Sequence, residues 1–220
     1  MPVLEAFDLH RFFHTPESET LALRSVSLQL NEGELVALVG PSGSGKSTLL
    51  ACLSGLDEPD GGHVELLGER LTRNLEAERA RRRPVNVGIL MQSRNLFSSL
   101  SATDNIKLAM SILGKVNEGL AKKLLEQVGL ANRATTRPGQ LSGGELARAG
   151  LAVALAAAPL ILLADEPTGE VDAVTEGSIL DILSEQCRTG VEVLVATHSQ
   201  ALAARADRII HLHDGKITDA

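Results

Sequence analysis

Leu35-Val36-Ala37-Leu38-Val39-Gly40-Pro41-Ser42-Gly43-Ser44-Gly45-Lys46-Ser47-Thr48 is where the chain declares its architecture. Leu35 to Val39 is an unbroken apolar run, as expected of a strand buried on both faces. Gly40 to Ser47 then fits the pattern G-x-x-x-x-G-K-[ST]. Glycines let the backbone turn its N–H groups inward around phosphate oxygens without a clashing Cβ. Lys46 to Ser54 reads as a helix, whose N-terminus adds positive potential at the same place. Lys46 would bridge the β- and γ-phosphates of a nucleotide, and Ser47 would ligate Mg2+. The competing reading is a glycine-rich turn that binds nothing. The strand, loop and helix in the required order weigh against it.

A second signal lies far downstream. Leu160-Ile161-Leu162-Leu163-Ala164 is another buried strand, closed by Asp165-Glu166. Ligands of parallel sheets bind at the carboxyl ends of the strands. The two sites therefore converge if their strands are neighbours. Asp165 would then hold Mg2+ through water, and Glu166 would orient and deprotonate an attacking water. Alone, the pair reads equally well as an acidic strand end capping the next helix.

Around these two points the elements alternate. Val3 to Leu9 and Val26 to Leu30 have the alternation of half-buried strands. His63 to Leu67 and Val85 to Met91 are further strands, and Arg70 to Arg83 is a solvated helix or loop. From about Thr103 to Leu155 the chain is helical, with Leu120, Leu124, Leu125 and Val128 on one face. Thr175 to Cys187 is a helix between strands Leu160 to Ala164 and Val191 to Ala196. A short helix, the strand Arg208 to Leu212 and the Asp214-Gly215 turn close the chain. This is an α/β pattern with a parallel sheet. The middle helices suggest an inserted helical subdomain.

Composition agrees with a folded chain. It has 220 residues, 44% of them apolar and 22% charged, which permits a real core. A net charge of -7 and only 2% aromatic residues disfavour nucleic-acid binding. The basic run Arg79 to Arg83 is offset by Glu76 and Glu78 and reads as a solvated face. Cys52 and Cys187 form no CxxC pair, so no structural zinc site is expected and reduced thiols are the simpler reading. No signal peptide is visible at the N-terminus. The longest apolar stretch, Gly150 to Ala164, is interrupted by Pro159 and is too short to span a bilayer.

Leu141-Ser142-Gly143-Gly144-Glu145 precedes a helix expected to begin near Leu146. Ser142 and Glu145 have the spacing of a capping box. The Gly-Gly backbone at a helix start is also a second anion site. One chain thus carries two phosphate-binding helix starts and one lysine loop, which share a nucleotide if two chains face each other.

With GPSGSGKST (Gly40 to Thr48), Gln92, LSGGE (Leu141 to Glu145), LLADEPTG (Leu162 to Gly169) and THS (Thr197 to Ser199) in this order, the chain resembles the ATP-binding subunits of ABC transporters over essentially its whole length. GPSGSGKSTLL, SGLDEPDGG, RPGQLSGGE, ADEPTGEVD and LAARADRIIHLHDGKI are most similar to the branch serving lipoprotein-releasing, macrolide-export and cell-division systems. The resemblance implies a P-loop NTPase of ABC type. It would have a parallel-sheet core (about 1–92 and 156–220), an N-terminal antiparallel β subdomain and an inserted helical subdomain (about 93–155), together one domain.

The resemblance also implies roles. Gly40, Pro41, Ser42, Gly43, Ser44, Gly45, Lys46, Ser47 and Thr48 would hold the phosphates of ATP. Ser142, Gly143 and Gly144 would contact the γ-phosphate held by the other subunit of a head-to-tail homodimer. Gln92 would touch Mg2+ and the attacking water, beside the metal ligands Ser47 and Asp165. His198 would contact the γ-phosphate, and Asp172 would lie in the loop at the dimer interface. Phe13 would stack on adenine. Phe12 stands beside it, and one of the two is expected in the core. The implied partner is an integral-membrane permease subunit, with this chain peripheral on the cytoplasmic face of the inner membrane and no nucleic acid involved.

Three departures from the family pattern stand out. Leu146-Ala147-Arg148 replaces two glutamines and an arginine after LSGGE. Glu170-Val171-Asp172 replaces Asn-Leu-Asp or Gly-Leu-Asp. Arg94 stands where an apolar residue is frequent. The implied function is ATP hydrolysis that powers export of lipoprotein, lipid or hydrophobic compounds through a membrane subunit. A cell-division role in wall remodelling and a soluble non-transport ATPase are the alternatives. A non-hydrolysing module fits less well, because Glu166 and His198 are present.

Overall fold

The computed structural model describes residues 2–14, 19–72, 77, 85–169 and 171–218. Two strands of alternating burial, β1 (Pro2–His14) and β2 (Glu19–Asn31), form a long antiparallel hairpin. β4 (Gly61–Leu66) pairs antiparallel with β1, and β5 (Glu69–Arg70) with β4, giving the order β2-β1-β4-β5. The second sheet holds β3 (Leu35–Val39), β6 (Val87–Leu90), β7 (Ile161–Asp165), β8 (Glu192–Thr197), β9 (Arg208–His213) and β10 (Lys216–Thr218). Its order is β10-β9-β3-β8-β7-β6, parallel except for β10.

The apolar run of β3 is explained by what lies on either side. Leu35 and Ala37 belong to one core cluster, together with Ile106, Met110, Leu124, Leu125 and Leu151. Val36 and Leu38 belong to the other, with Leu4, Leu23, Leu30, Leu49 and Leu53. Each such leucine stabilises the fold by about 1.5–3 kcal/mol relative to exposure. The sheet is therefore packed between helices on one face and the antiparallel sheet with α1 (Lys46–Leu53) on the other.

Between β6 and β7 the chain forms α2 (Ala102–Ile112), α3 (Glu118–Gln127) and α4 (Gly143–Ala154). Later come α5 (Ala173–Arg188) and α6 (Gln200–Arg205). α2 to α6 start at the capping side chains of Ser101, Asn117, Ser142, Asp172 and Ser199. α1 starts at Gly45 with no side-chain cap. Its first N–H groups are left for another acceptor.

Several boundaries differ from expectation. α4 begins at Gly143 rather than near Leu146, because the capping box makes Glu145 the third helical residue. α5 begins at Ala173, two residues before Thr175, because Asp172 caps it. β1 and β2 run well beyond Leu9 and Val26, lengthening the hairpin past the core. β6 begins at Val87 rather than Val85. β5 and β10, two and three residues long, are too short to carry a sequence period. Most of Arg70 to Arg83, including the basic run, lies outside the described residues, and so does Glu170. Among the described residues no helix is long and apolar enough to cross a membrane, and Cys52 and Cys187 are free.

Candidate functional site

Parallel strands that neighbour one another deliver their carboxyl ends to one edge. β3, β8, β7 and β6 are such a series, so Gly40, His198, Asp165-Glu166 and Gln92 follow one another along that edge. β3 and β7 are not themselves neighbours. β8 lies between them, pairing Val39 with Thr197 and Asp165 with Ala196. His198, the next residue, therefore stands between the phosphate loop and the acidic pair.

These residues surround a cavity of about 660 Å³, within the size range of small-molecule and cofactor sites. It is lined by Phe13, by Gly40, Pro41, Ser42, Gly43, Gly45, Lys46, Ser47 and Thr48, and by Gln92, Asp165, Glu166 and His198. Ser44 belongs to the loop but points inward. Its side chain is buried and its Oγ has no partner among the described residues.

Two of the loop's glycines, Gly40 and Gly45, are required by close approach. A Cβ on Gly40 would lie 2.1 Å from the Leu212 carbonyl oxygen. Gly45 has φ +104°, and a Cβ there would lie 2.5 Å from the Ala22 carbonyl oxygen. The Lys46 ammonium is nearly buried and donates to the carbonyls of Gly40 (2.8 Å) and Pro41 (3.1 Å). It is thereby held over the loop that would carry the phosphates.

Glu166 adopts φ +48°, a left-handed conformation that costs a non-glycine residue energy. The strained turn comes directly after β7. Glu166 Oε2 lies 2.9 Å from His198 Nδ1 and accepts a 3.4 Å bond from the His198 N–H. The buried Asp165 carboxylate, the Ser47 hydroxyl and the Gln92 amide face the same cavity. Among the described residues no three His, Cys, Asp or Glu side chains cluster to hold a metal by themselves. A hydroxyl, an amide oxygen and one carboxylate are hard donors of the kind that bind Mg2+ together with phosphate oxygens and water.

Other expected residues lie elsewhere. Ser142, Gly143 and Gly144 do not line the cavity. The Ser142 Oγ accepts from the Glu145 N–H at 3.3 Å, and the Glu145 carboxylate accepts from the Ser142 N–H at 2.9 Å. That carboxylate also accepts a 3.0 Å bond from Arg133 Nε. These bonds to Ser142 and Arg133 hold the Glu145 carboxyl below its ordinary value. Gly143, Leu146, Ala147 and Arg94 line a separate cavity of about 250 Å³, which also reaches Gln92 and Glu166. Asp172 is likewise absent from the larger cavity. Its Oδ1 accepts from the N–H groups of Val174 (3.0 Å) and Thr175 (2.9 Å). The bonds from Thr175, backbone first, keep its carboxyl below the usual range.

Phe13 lines the cavity and Phe12 does not. The expectation that one of them is core fails, since Phe12 is 38% and Phe13 41% exposed. Register shifts between Leu9, Arg11 and Phe12 carry the strand end out past the core. Thr20, Arg24, Asp214 and Gly215 also line the cavity and were missed by sequence. The Gly215 N–H donates to the Ser44 carbonyl at 3.0 Å and the Arg24 N–H to the Gly215 carbonyl at 2.8 Å. The final turn and β2 thus brace the phosphate loop. The Asp214-Gly215 turn was legible, but its partner about 170 residues away was not.

Comparison with known proteins identifies the family. Residues 23–169 match the family model for ABC transporter. Over 222 residues the chain is 40% identical to the lipoprotein-releasing system ATP-binding protein LolD of Acinetobacter baylyi, covering 99% of this chain and 97% of that protein. Over 218 residues it is 42% identical to the macrolide export ATP-binding/permease protein MacB of Chlorobium luteolum, covering 98% of this chain and 33% of that protein. The dimeric post-hydrolysis structure of the ATP-binding cassette MJ0796, bound to ADP and Pi, superposes with a TM-score of 0.93 at 32% identity, covering 98% of this chain and 97% of that one.

Proposed function

The chain belongs to the ABC transporter family as one of its ATPases, and from that premise we propose that two copies close head to tail over ATP and power a separate membrane subunit. The observation that carries this reading is a division within the chain. Gly40–Gly43, Gly45–Thr48, Gln92, Asp165, Glu166 and His198 meet around one cavity, while Ser142, Gly143 and Gly144 stand outside it. A γ-phosphate in the cavity would be reached by the Ser142–Gly144 helix start of another copy.

In this arrangement the loop N–H groups left without an intrahelical partner, up to those of Lys46, Ser47 and Thr48 at the start of α1, take the triphosphate (Pro41 has none to give), and Lys46 exchanges its carbonyl partners for phosphate oxygens. Phe13 offers a ring to adenine. Ser47, Gln92 and Asp165 would hold Mg2+, which when bound neutralises charge on the phosphates. Glu166 orients a water toward the γ-phosphorus and takes its proton. The water oxygen forms the new P–O bond, the bond to the β–γ bridging oxygen breaks, and ADP leaves with that electron pair. His198, held by Glu166, and the facing Ser142 offset charge on the transferred group. Preorganised positioning and electrostatics supply most of the rate.

The likeness to LolD and MacB supports export of lipoprotein, lipid or another hydrophobic compound, with the chain peripheral on the cytoplasmic face of the inner membrane. Glu166→Gln tests the reading. It should retain ATP binding, stop turnover and accumulate as an ATP-bound dimer. Unchanged turnover would remove Glu166 from its role.

A further inference from the structure

Behind Phe13 the structure holds a charged assembly that the phosphate chemistry does not use. The Arg11 guanidinium carbon lies 4.8 Å from the centroid of the Phe13 ring. The two residues are two apart on β1, and the guanidinium lies over the ring across the register shift between Arg11 and Phe12. The guanidinium is clamped from behind. Its Nε and Nη2 donate to the two oxygens of Asp57 at 2.8 and 3.0 Å, and Nη1 donates to Asp60 Oδ2 at 3.1 Å. The same Asp60 oxygen accepts the Phe12 N–H at 2.7 Å.

The clamp reaches the phosphate side too. Asp57 lies just past α1, and its N–H donates to the Ala51 carbonyl within that helix at 3.0 Å. One chain of contacts thus runs from the ring through the guanidinium and Asp57 to the helix that begins at the phosphate loop. We propose that Arg11 is a positioning residue for the base of the nucleotide, fixing the Phe13 ring at a set distance from the phosphate loop. This rests on the reading that Phe13 stacks on adenine.

The physical case is preorganisation. A ring that is 41% exposed near the end of a hairpin has rotamers to lose when a base stacks on it. A guanidinium fixed on one face removes part of that cost before the ligand arrives and leaves the opposite face for stacking. Arginine suits this task because its planar fork binds two carboxylates while stacking. The simpler alternative is a tie between hairpin and loop that serves only stability.

Equilibrium titration of the full chain with ATP and with inorganic tripolyphosphate separates these roles. Arg11→Met should weaken ATP by about threefold to tenfold and leave tripolyphosphate unchanged. Arg11→Lys, which keeps the charge without the fork, should fall between and serves as the readout if Arg11→Met does not fold. In a Phe13→Ala background the Arg11 substitution should add no further loss. Equal weakening of both ligands, no weakening of either, or an undiminished loss in the Phe13→Ala background would overturn the proposal. Unchanged ATP binding by Phe13→Ala alone would instead overturn the adenine-stacking reading.

Discussion

Replacing Glu192 by glutamine should flatten the pH dependence of stability. Glu192 opens β8 at the end of the sheet away from the cavity. It is fully buried, and neither carboxyl oxygen has a hydrogen-bond partner among the described residues. Burial first, and then the Glu34 carboxylate, push its carboxyl up from 4.5 to about 9, while Arg208 pulls the other way. Arg208 is already engaged, donating to Glu34 at 2.7 and 3.0 Å. Glu192 is therefore protonated in the native chain at neutral pH and ionised in the unfolded one. Its contribution is fully present below pH 4.5 and is lost as pH rises through about 9. Each pH unit within that window removes about 1.4 kcal/mol. Between pH 5 and pH 8 the loss sums to about 4 kcal/mol. Glutamine keeps the shape of the protonated acid and does not titrate. Urea unfolding of both proteins at a series of pH values across the window should show the variant gaining on the wild type by about 1.4 kcal/mol per unit. A constant difference across the series would show that Glu192 is ionised and compensated in the native chain, and would refute the reasoning.

Two further outcomes follow from the site. Lys46→Ala removes the ammonium held over the phosphate loop and should weaken ATP binding, read by nucleotide titration; wild-type affinity would contradict the assignment of the loop. Asp172→Ala should lower stability in chemical unfolding through loss of the α5 cap. Asp172→Asn, which can still cap, should retain both stability and ATPase rate if Asp172 acts by shaping that loop. A loss of rate without loss of stability in the asparagine variant would mean its charge acts directly.

The parts of the fold legible in sequence were those whose cause is local. The apolar runs of β3 and β7 announce two-sided burial without reference to any other segment, and Gly40 and Gly45 announce backbone close approach. The capping box at Ser142 was visible as a spacing, and taking it literally would have placed the helix start at Gly143. Asp172 carries a weaker signal, a lone acidic residue before a helix, with no Glu or Gln three residues on to complete a capping box. What no local pattern conveys is strand order. That β8 separates β3 from β7, and so sets His198 between the loop and Glu166, depends on pairings more than 30 residues apart in sequence. The Arg11 clamp is hidden for the same reason, since its carboxylates lie 46 and 49 residues away. Phe12 shows the opposite error, in which residue type suggested burial that the hairpin's length denies.

The proposed division of the site between two copies is tested most directly by dilution. ATPase rate per chain, measured across a concentration series alongside sedimentation of the same samples, should fall toward zero as the dimer dissociates, because Ser142 to Gly144 then leave the γ-phosphate unattended. Monomeric chains that hydrolyse ATP at the full rate would contradict it.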